Sequence, residues 1–277
     1  MVYTESITII KPRSPWQYIN LIEIWKYREL FLILTWRDLK VRYKQTILGV
    51  SWAIFQPLIN MLVFTVFFGN FAGIPSDSLP YPVFVMIGLT FWGFFAGAIA
   101  RAGNSFIENE ELVKKVYFPR EILVFSTVVT ASVDALISIL MLFLVILYYQ
   151  IPISLLFILL LIVGILATAI ASSGLGLFLA SVNIKYRDVR YVIPFFLQLL
   201  VFVSPVIYPL TIVRSSFQYL LAFNPMTGVI DSLRSSLSSN QILHPEMLMI
   251  SIVTACISLF IGLLYFRKTE RYFADII

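Results

Sequence analysis

The chain has 277 residues, of which 60% are hydrophobic and only 13% are charged. Charged residues normally make up about a quarter of a soluble domain, so this composition excludes a soluble globular protein and indicates one integral membrane domain. The formal net charge of +5 lies in the polar segments between apolar ones, which suits anionic headgroups or an acidic partner and gives no support for nucleic acid binding.

Six apolar runs follow one another, and each is near or above the ~20 residues that cross a bilayer as a helix. They cover residues 48–71, 83–100, 122–149, 153–183, 191–213 and 247–266. The sequence therefore predicts an all-α integral membrane fold with six transmembrane helices. Its parts are an N-terminal segment 1–47, a membrane domain 48–266 and a tail 267–277.

The basic residues predict the orientation of these spans. Except for Arg214 and Arg234, all Lys and Arg residues lie before the first run or after the second, fourth and sixth runs. By the positive-inside rule, this bias predicts that both termini are cytoplasmic.

The segment before the first run predicts helices that lie on the inner membrane surface. Within residues 16–47, apolar and aromatic residues recur at helical spacing while basic residues occupy another face. The residues assigned to this amphipathic interface are Trp25, Trp36, Arg37 and Lys40. Two interpretations remain open: the helices are a plain membrane anchor, or they also contact a functional part of the protein.

The polar gap after the second run predicts a short cytoplasmic helix. Ser105 and Glu108 have the spacing of a capping box, so the helix is expected to begin at Ser105. Pro119 is expected to end it, which gives a helix of about three turns.

Two charge pairs and an apolar stripe make this helix a candidate docking element. The pairs are Glu110 with Lys114 and Glu111 with Lys115, and the stripe is Leu112, Val113, Val116 and Tyr117. An apolar groove on a partner protein could bind such a stripe. The alternative is a solvated helix that only connects two spans.

The segment 210–246 is too apolar for a flexible loop. Asn224 and Pro225 supply an N-cap followed by proline at the first helical position, and a second apolar piece, 217–223, precedes them. Pro205 and Pro209 separate both pieces from the fifth run. We expect a pair of short re-entrant helices, which need protein or a water-filled cavity to satisfy their backbone and so imply a pore or vestibule.

The spans carry little reactive chemistry. Asp134 is the one acidic residue deep in a run, and it either contacts substrate or makes an interhelical hydrogen bond. Cys256 and His244 are each alone, so packing and loop roles are favoured for them. The sequence contains no catalytic constellation, no metal site and no phosphate-binding loop of the form G-x-x-x-x-G-K-[ST]. Any energy from ATP must therefore come from a partner.

Aromatic residues make up 16% of the chain and are grouped in the first, second and fifth runs. Lipid-facing bulk and interfacial belts account for most of them. Some could instead line a conduit in which ring faces stack on sugars, and the sequence leaves both interpretations open.

Several short motifs at the ends of the runs resemble one known family. They are Arg37-Asp38-Leu39-Lys40-Val41-Arg42-Tyr43, Leu48-Gly49, Gln56-Pro57, Lys114-Lys115-Val116-Tyr117-Phe118-Pro119-Arg120, Tyr186-Arg187-Asp188-Val189, Ser204-Pro205-Val206-Ile207-Tyr208 and Asn224-Pro225-Met226. From about residue 30 onward, the chain resembles the permease subunits of type-2 ATP-binding-cassette exporters for lipid-linked polysaccharides, the Wzm-like group that exports O antigens. Permeases for teichoic acid or capsule share much of this pattern.

The resemblance implies a homodimer of six-span subunits in a bacterial inner membrane. Two copies of a separate ATPase, which binds ATP and Mg, would clasp the dimer from the cytoplasm, and a continuous channel would carry a glycan on a polyprenyl lipid. The helix 105–118 and the loop at Asp188 would couple to the ATPase through Glu110, Glu111, Leu112, Lys114, Lys115, Tyr117, Arg187 and Asp188. The candidates along the substrate path are Trp52, Phe55, Phe196, Phe202, Tyr208 and Asp134.

Other functions remain open. A membrane-embedded lipid-sugar transferase would need clustered carboxylates, for which Glu108, Glu110, Glu111 and Glu121 are the available set. A secondary carrier or channel is expected to show internal repeats, and the chain has only a faint echo between 36–39 and 186–189. Within the exporters, a permease for a drug or small lipid is the main competitor.

Overall fold

The computed structural model describes residues 21–44, 50–186, 188–238 and 243–270. The described part of the chain begins with the helices α1 (Leu21–Lys26) and α2 (Arg28–Lys44). The helices that follow are α3 (Val50–Phe64), which continues as a π-helical segment (Thr65–Phe71), α4 (Tyr81–Glu108), α5 (Glu110–Lys115), α6 (Glu121–Tyr148), α7 (Leu155–Lys185), α8 (Val189–Val203), a 3₁₀ turn (Leu210–Ile212), α9 (Ser215–Ala222), α10 (Pro225–Leu237) and α11 (Pro245–Glu270).

Within those described ranges, five helices are long and apolar enough to cross a membrane. They are α3 with its π-helical extension, α4, α6, α7 and α11. The helix α8 is apolar but has 15 residues, or about 22 Å, against a hydrocarbon core of roughly 30 Å.

The prediction of one continuous fifth span over residues 191–213 is wrong. The helix α8 ends at Val203, and Ser204 adopts an extended conformation with ψ 146°. Pro205 follows it, and a residue before proline is pushed out of the helical region. The rest of the predicted span is a loop and a 3₁₀ turn.

The helix α4 is the centre of the bundle. It packs against α3, α6, α7, α8 and α10. In its most apolar stretch 72% of the residues are buried, whereas the corresponding figure for α3 is 6%. The chain therefore wraps its helices around α4 and leaves α3 at the periphery.

The helices α7 and α11 approach each other closely where two glycines meet. A Cβ added to Gly262 would lie 2.1 Å from the carbonyl oxygen of Gly174, and one added to Gly174 would lie 2.3 Å from the Leu259 nitrogen. The small residues of the Ser172–Gly176 run therefore permit close packing of the two helices.

At the end of the bundle where α5 lies, an apolar cluster joins helices that are distant in sequence. Leu34 of α2, Phe106 of α4, Phe118 and Phe266 of α11 are buried in it. Beside it, the fully buried Glu121 at the start of α6 is ion-paired with Arg267 of α11. This pairing fixes the start of α6 against the end of α11.

Candidate functional site

The prediction that a helix begins at Ser105 and runs to residue 118 is wrong. The helix α4 continues through Glu108, and the buried Ser105 hydroxyl donates to the Ala102 carbonyl oxygen at 2.8 Å inside it. A hydroxyl that bonds back one turn is an alternative to capping at the same sequence spacing. The actual break is at Asn109, and α5 is a helix of six residues.

The surface of α5 presents charge more than apolar area. Lys114 Nζ lies 2.5 Å from Glu110 Oε1, and Lys115 is paired with Glu111, whose side chain is 78% exposed. Val113 is buried in the chain's own apolar cluster, and Leu112 is half-buried against it. The predicted apolar stripe is thus divided, because Val113 anchors α5 while only Val116 and Tyr117 are exposed.

The second predicted coupling element lies at the same end of the bundle. Asp188 is exposed just before α8, and Arg187 lies outside the described residues. Glu108, the last residue of α4, is close enough to Arg190 of α8 and Arg37 of α2 to interact electrostatically. The α5 segment and the start of α8 therefore share one face.

The helices α1 and α2 pack on this end through one side only. Leu34 is buried, whereas Trp25 is 70% exposed and Trp36 is 68% exposed. Lys40 is also exposed, and Arg37 is ion-paired with Asp38 at 2.7 Å. The two indoles and the basic side chains thus point away from the bundle, where an interface helix would place them.

Most of the predicted path residues are exposed on the two helices that flank α4. Trp52 and Phe55 on α3, and Phe196 and Phe202 on α8, are each more than half exposed. Tyr208 is partly buried, and its hydroxyl donates to the Val203 carbonyl oxygen at 2.9 Å.

Asp134 makes hydrogen bonds to two other helices, as one of its two sequence interpretations expects. Its carboxylate accepts from Arg42 and Tyr43 of α2 and from Arg101 Nη2 of α4, the last at 3.3 Å. Burial and the hydrogen bond to Asp134 raise the pKa of Tyr43 to about 12, so its hydroxyl is protonated and donates at neutral pH. A role for Asp134 in the substrate path stays a prediction.

At the opposite end of the bundle, Arg234 of α10 is buried among backbone carbonyls. Its guanidinium donates to Phe84 O at 3.1 Å, Pro205 O at 2.6 Å and Val206 O at 2.7 Å, and it stacks on the Phe84 ring. Burial lowers the pKa of Arg234 to about 9, and nearby Asp231 offsets part of this effect. The side chain is therefore charged at neutral pH and ties α10 to α4 and to the loop after α8.

The predicted N-cap of α10 is confirmed. Asn224 Oδ1 accepts from the Met226 amide at 3.0 Å, and Asn224 Nδ2 donates to Ser204 Oγ at 2.6 Å. One short side chain thus starts α10 and binds the end of α8.

Sequence reasoning missed the roles of Arg42, Tyr43, Arg101 and Arg234. The sequence patterns gave Arg42 and Arg101 no ion-pair partner, although the acidic Asp134 inside a span is the signal that could have found them. Arg234 departs from that bias, which is the signal that it has a structural partner.

The fold and these surfaces define a multi-pass helical membrane protein with a charged face at α5 and an exposed aromatic flank. Residues 29–238 match the ABC-2 type transporter family. The match covers more than half of the chain, so the chain belongs to this family of transporter membrane components.

Curated relatives match over most of their length. The O-antigen export system permease protein RfbA of Myxococcus xanthus is 29% identical over 91% of this chain and 97% of its own. The protein of the same name from Klebsiella pneumoniae is 26% identical over 90% of this chain and 95% of its own. The polysialic acid transport protein KpsM of Escherichia coli is 24% identical over 85% of this chain and 91% of its own.

Proposed function

We propose that this chain is the transmembrane permease subunit of an ATP-driven exporter that moves a lipid-linked, O-antigen-like polysaccharide out of the cytoplasm across a bacterial inner membrane. The observation that carries the proposal is the family match, together with relatives named for O-antigen export that align over nine-tenths of the chain. This chain would supply the path, and a separate ATPase would bind ATP and Mg.

The exposed faces of α3 and α8 support a path formed between two copies of the chain. Besides aromatic rings, these faces expose Gln56, Asn60 and Gln198 within apolar helices. Amides that faced lipid would lose hydrogen bonds to water, so they favour a protein or water-lined neighbour. In contrast, the exposed face of α7 is aliphatic, as lipid contact requires, with Leu155, Leu159 and Ile162 as examples.

We infer that the ATPase docks on the face formed by α5 and the start of α8. The pairs Glu110–Lys114 and Glu111–Lys115, with exposed Tyr117 and Asp188, present charge and one aromatic ring there. Closure of the ATPase dimer would push on α5. Because α5 joins the central α4 directly to α6, that movement would shift the spans.

The proposed topology has six spans with both termini in the cytoplasm. The helix α8 would provide the fifth membrane crossing together with the segment that follows it, and α9 and α10 would be the re-entrant pair. The alternation of basic residues supports this orientation.

A capsule-type polymer is the second candidate substrate, favoured by the match to a relative named for polysialic acid transport. A transferase is less well supported, because Glu121 is ion-paired with Arg267 while Glu110 and Glu111 are paired with lysines.

The test is to reconstitute the chain with and without its candidate ATPase and to measure ATP hydrolysis with polyprenyl-linked glycans. Hydrolysis that requires the complex and rises with an O-antigen-type glycan is expected. A complex that ignores every lipid-linked glycan but responds to small amphiphiles would refute the substrate. If no ATPase binds the chain, the exporter proposal fails.

A further inference from the structure

We propose that a cavity beside Asp134 binds the phosphate of an anionic lipid headgroup. The inference deepens the proposed function, and it rests on that function where it takes the polyprenyl diphosphate of a lipid-linked glycan as one source of the phosphate. A bilayer phospholipid is the other source with the same chemistry.

The cavity has a volume of about 270 Å³ and lies between α3, α4 and α6, with the end of α2 at its edge. Its polar lining consists of Arg42, Gln56, Asn60, Thr90, Arg101, Asp134 and Ser138. This volume is just below the range of roughly 300–1,000 Å³ for ligand sites, so the cavity has room for a headgroup rather than a long glycan.

The charges lining the cavity do not balance. Arg42 and Arg101 share one carboxylate, and both oxygens of Asp134 are already hydrogen-bonded. The Arg101 Nε and Thr90 Oγ1 atoms are buried and have no hydrogen-bond partner among the residues that the structure describes. The lining thus holds two guanidinium groups and one carboxylate, and excess positive charge inside a membrane protein is costly, so the site favours a further anion.

Phosphate fits the donors that remain. A guanidinium presents its N–H groups as a planar fork that matches phosphate oxygens, and charge-assisted bonds of this kind are the strong ones. The amides of Gln56 and Asn60 and the Thr90 hydroxyl add uncharged donors on the same walls. An anion here would neutralise Arg101 and compete with Asp134 for Arg42, which would link occupancy of the cavity to the position of α2.

Two glycines keep the cavity open. A Cβ added to Gly93 meets no atom within 4 Å, and the nearest atom to a Cβ added to Gly97 is Arg101 Nη2 at 3.6 Å. Both glycines line the cavity. A larger side chain at Gly93 would therefore occupy space at the cavity without displacing the charged groups.

The test measures lipid binding to the full-length chain in nanodiscs, without ATP, by native mass spectrometry. The probes are a polyprenyl diphosphate, phosphatidylglycerol and the uncharged polyprenol of the same length. We expect both phosphate lipids, or the diphosphate alone, to bind in preference to the polyprenol. Preference for the diphosphate identifies the substrate carrier as the source, and equal binding of the two identifies a phosphate site open to bilayer lipid.

One variant removes a positive charge from the cavity, and another removes its negative charge. Arg101→Gln should weaken phosphate-lipid binding about tenfold, as the loss of a charge-assisted bond implies, and Asp134→Asn should strengthen it. Gly93→Leu should weaken it by filling space, and Arg214→Gln, at an exposed position on another part of the chain, is the matched control. If Arg101→Gln does not fold, Arg101→Lys replaces it in the test, because lysine keeps the positive charge but lacks the planar N–H groups of the guanidinium.

Equal binding of polyprenol, unchanged binding by Arg101→Gln, or weaker binding by Asp134→Asn would each overturn the proposal. Because these measurements need neither ATP nor glycan, such a result would leave the exporter function intact. Conversely, a complex that ignores every lipid-linked glycan would refute the proposed substrate without affecting the phosphate site.

Discussion

Arg234 is a buried charge that finds its partners in backbone carbonyls. Only 3% of the residue is exposed, and its guanidinium donates to carbonyl oxygens of two separate segments, α4 and the loop after α8. Gly88 makes room for it, because a Cβ there would lie 2.8 Å from Arg234 Nη2. The loop after α8 has lost its helical hydrogen bonds at Pro205, and Arg234 supplies donors to the carbonyl groups left open.

Replacing this arginine should loosen that end of the bundle. Arg234→Lys keeps a positive charge but loses the planar fork, so we expect a loss of about 2 kcal/mol in the free energy of unfolding. The thermal unfolding midpoint of the purified protein reports it. Arg214→Lys is the control, since Arg214 is exposed and should change stability by no more than about 0.5 kcal/mol. Equal thermal unfolding midpoints for the two variants would show that the hydrogen bonds of Arg234 do not stabilise the fold.

Among the helices, the crossing of α7 and α11 depends on backbone contact. Gly174 and Gly262 let the two helices approach until the carbonyl of one lies where the other's Cβ would be. Such close approach increases van der Waals contact between the helices. Inside a bilayer this contact matters because the hydrophobic effect does not drive helix association there.

A single methyl group should therefore have opposite effects at two glycines. Gly262→Ala should destabilise the protein by about 1–3 kcal/mol through overpacking. Gly93→Ala should be neutral or stabilise by up to about 1 kcal/mol, because its Cβ meets no atom and alanine favours helix. Thermal unfolding in one detergent compares the two, and a milder effect at Gly262 than at Gly93 would contradict the crossing geometry.

The helix α5 is a short element anchored by Val113 on one side and charged on the other. Only Asn109 separates α5 from α4, so a force applied to α5 would be transmitted directly to α4.

Reversing a charge on α5 should weaken docking of the ATPase. For Glu111→Arg we expect about three- to tenfold weaker binding, because an exposed interfacial charge is reversed while the fold is kept. A binding titration of the purified subunits measures it. Glu246→Arg, at the start of α11 and so at the other end of the bundle, should bind the ATPase as the unchanged chain does. If both variants bind normally, α5 is not the docking element.

For the whole molecule, the main asymmetry is between the aromatic and amide-bearing flank of α3 and α8 and the aliphatic face of α7. The flank of α3 and α8 suits contact with a second copy of the chain or with a water-filled path for a glycan. The face of α7 suits contact with lipid. The two flanks have similar exposure, so exposure alone does not distinguish them.

Truncating one apolar side chain on each kind of surface distinguishes the substrate path from the lipid-facing surface. Phe202→Ala should raise the glycan concentration for half-maximal ATPase stimulation about two- to tenfold, because one aromatic contact is lost. Leu159→Ala, on the exposed face of α7, should leave it unchanged. A larger effect at Leu159 than at Phe202 would place the substrate on the other side of the bundle.

The sequence by itself determined what depends on composition and on neighbours a few residues apart. Hydropathy gave the membrane class, the Asn224 cap began α10, and the pairs on α5 formed as their spacing predicts. Each of these rests on an interaction that acts within one helical turn.

Only the tertiary structure decided which helix faces meet. Ser105 has the spacing of a cap but lies inside α4, and Val113 reads as a docking residue but anchors its own helix. Arg42 and Tyr43 reach Asp134 across more than 90 residues of chain. Local periodicity holds no information about such a separation, because the partner of a polar side chain in a helical bundle is set by how the helices pack.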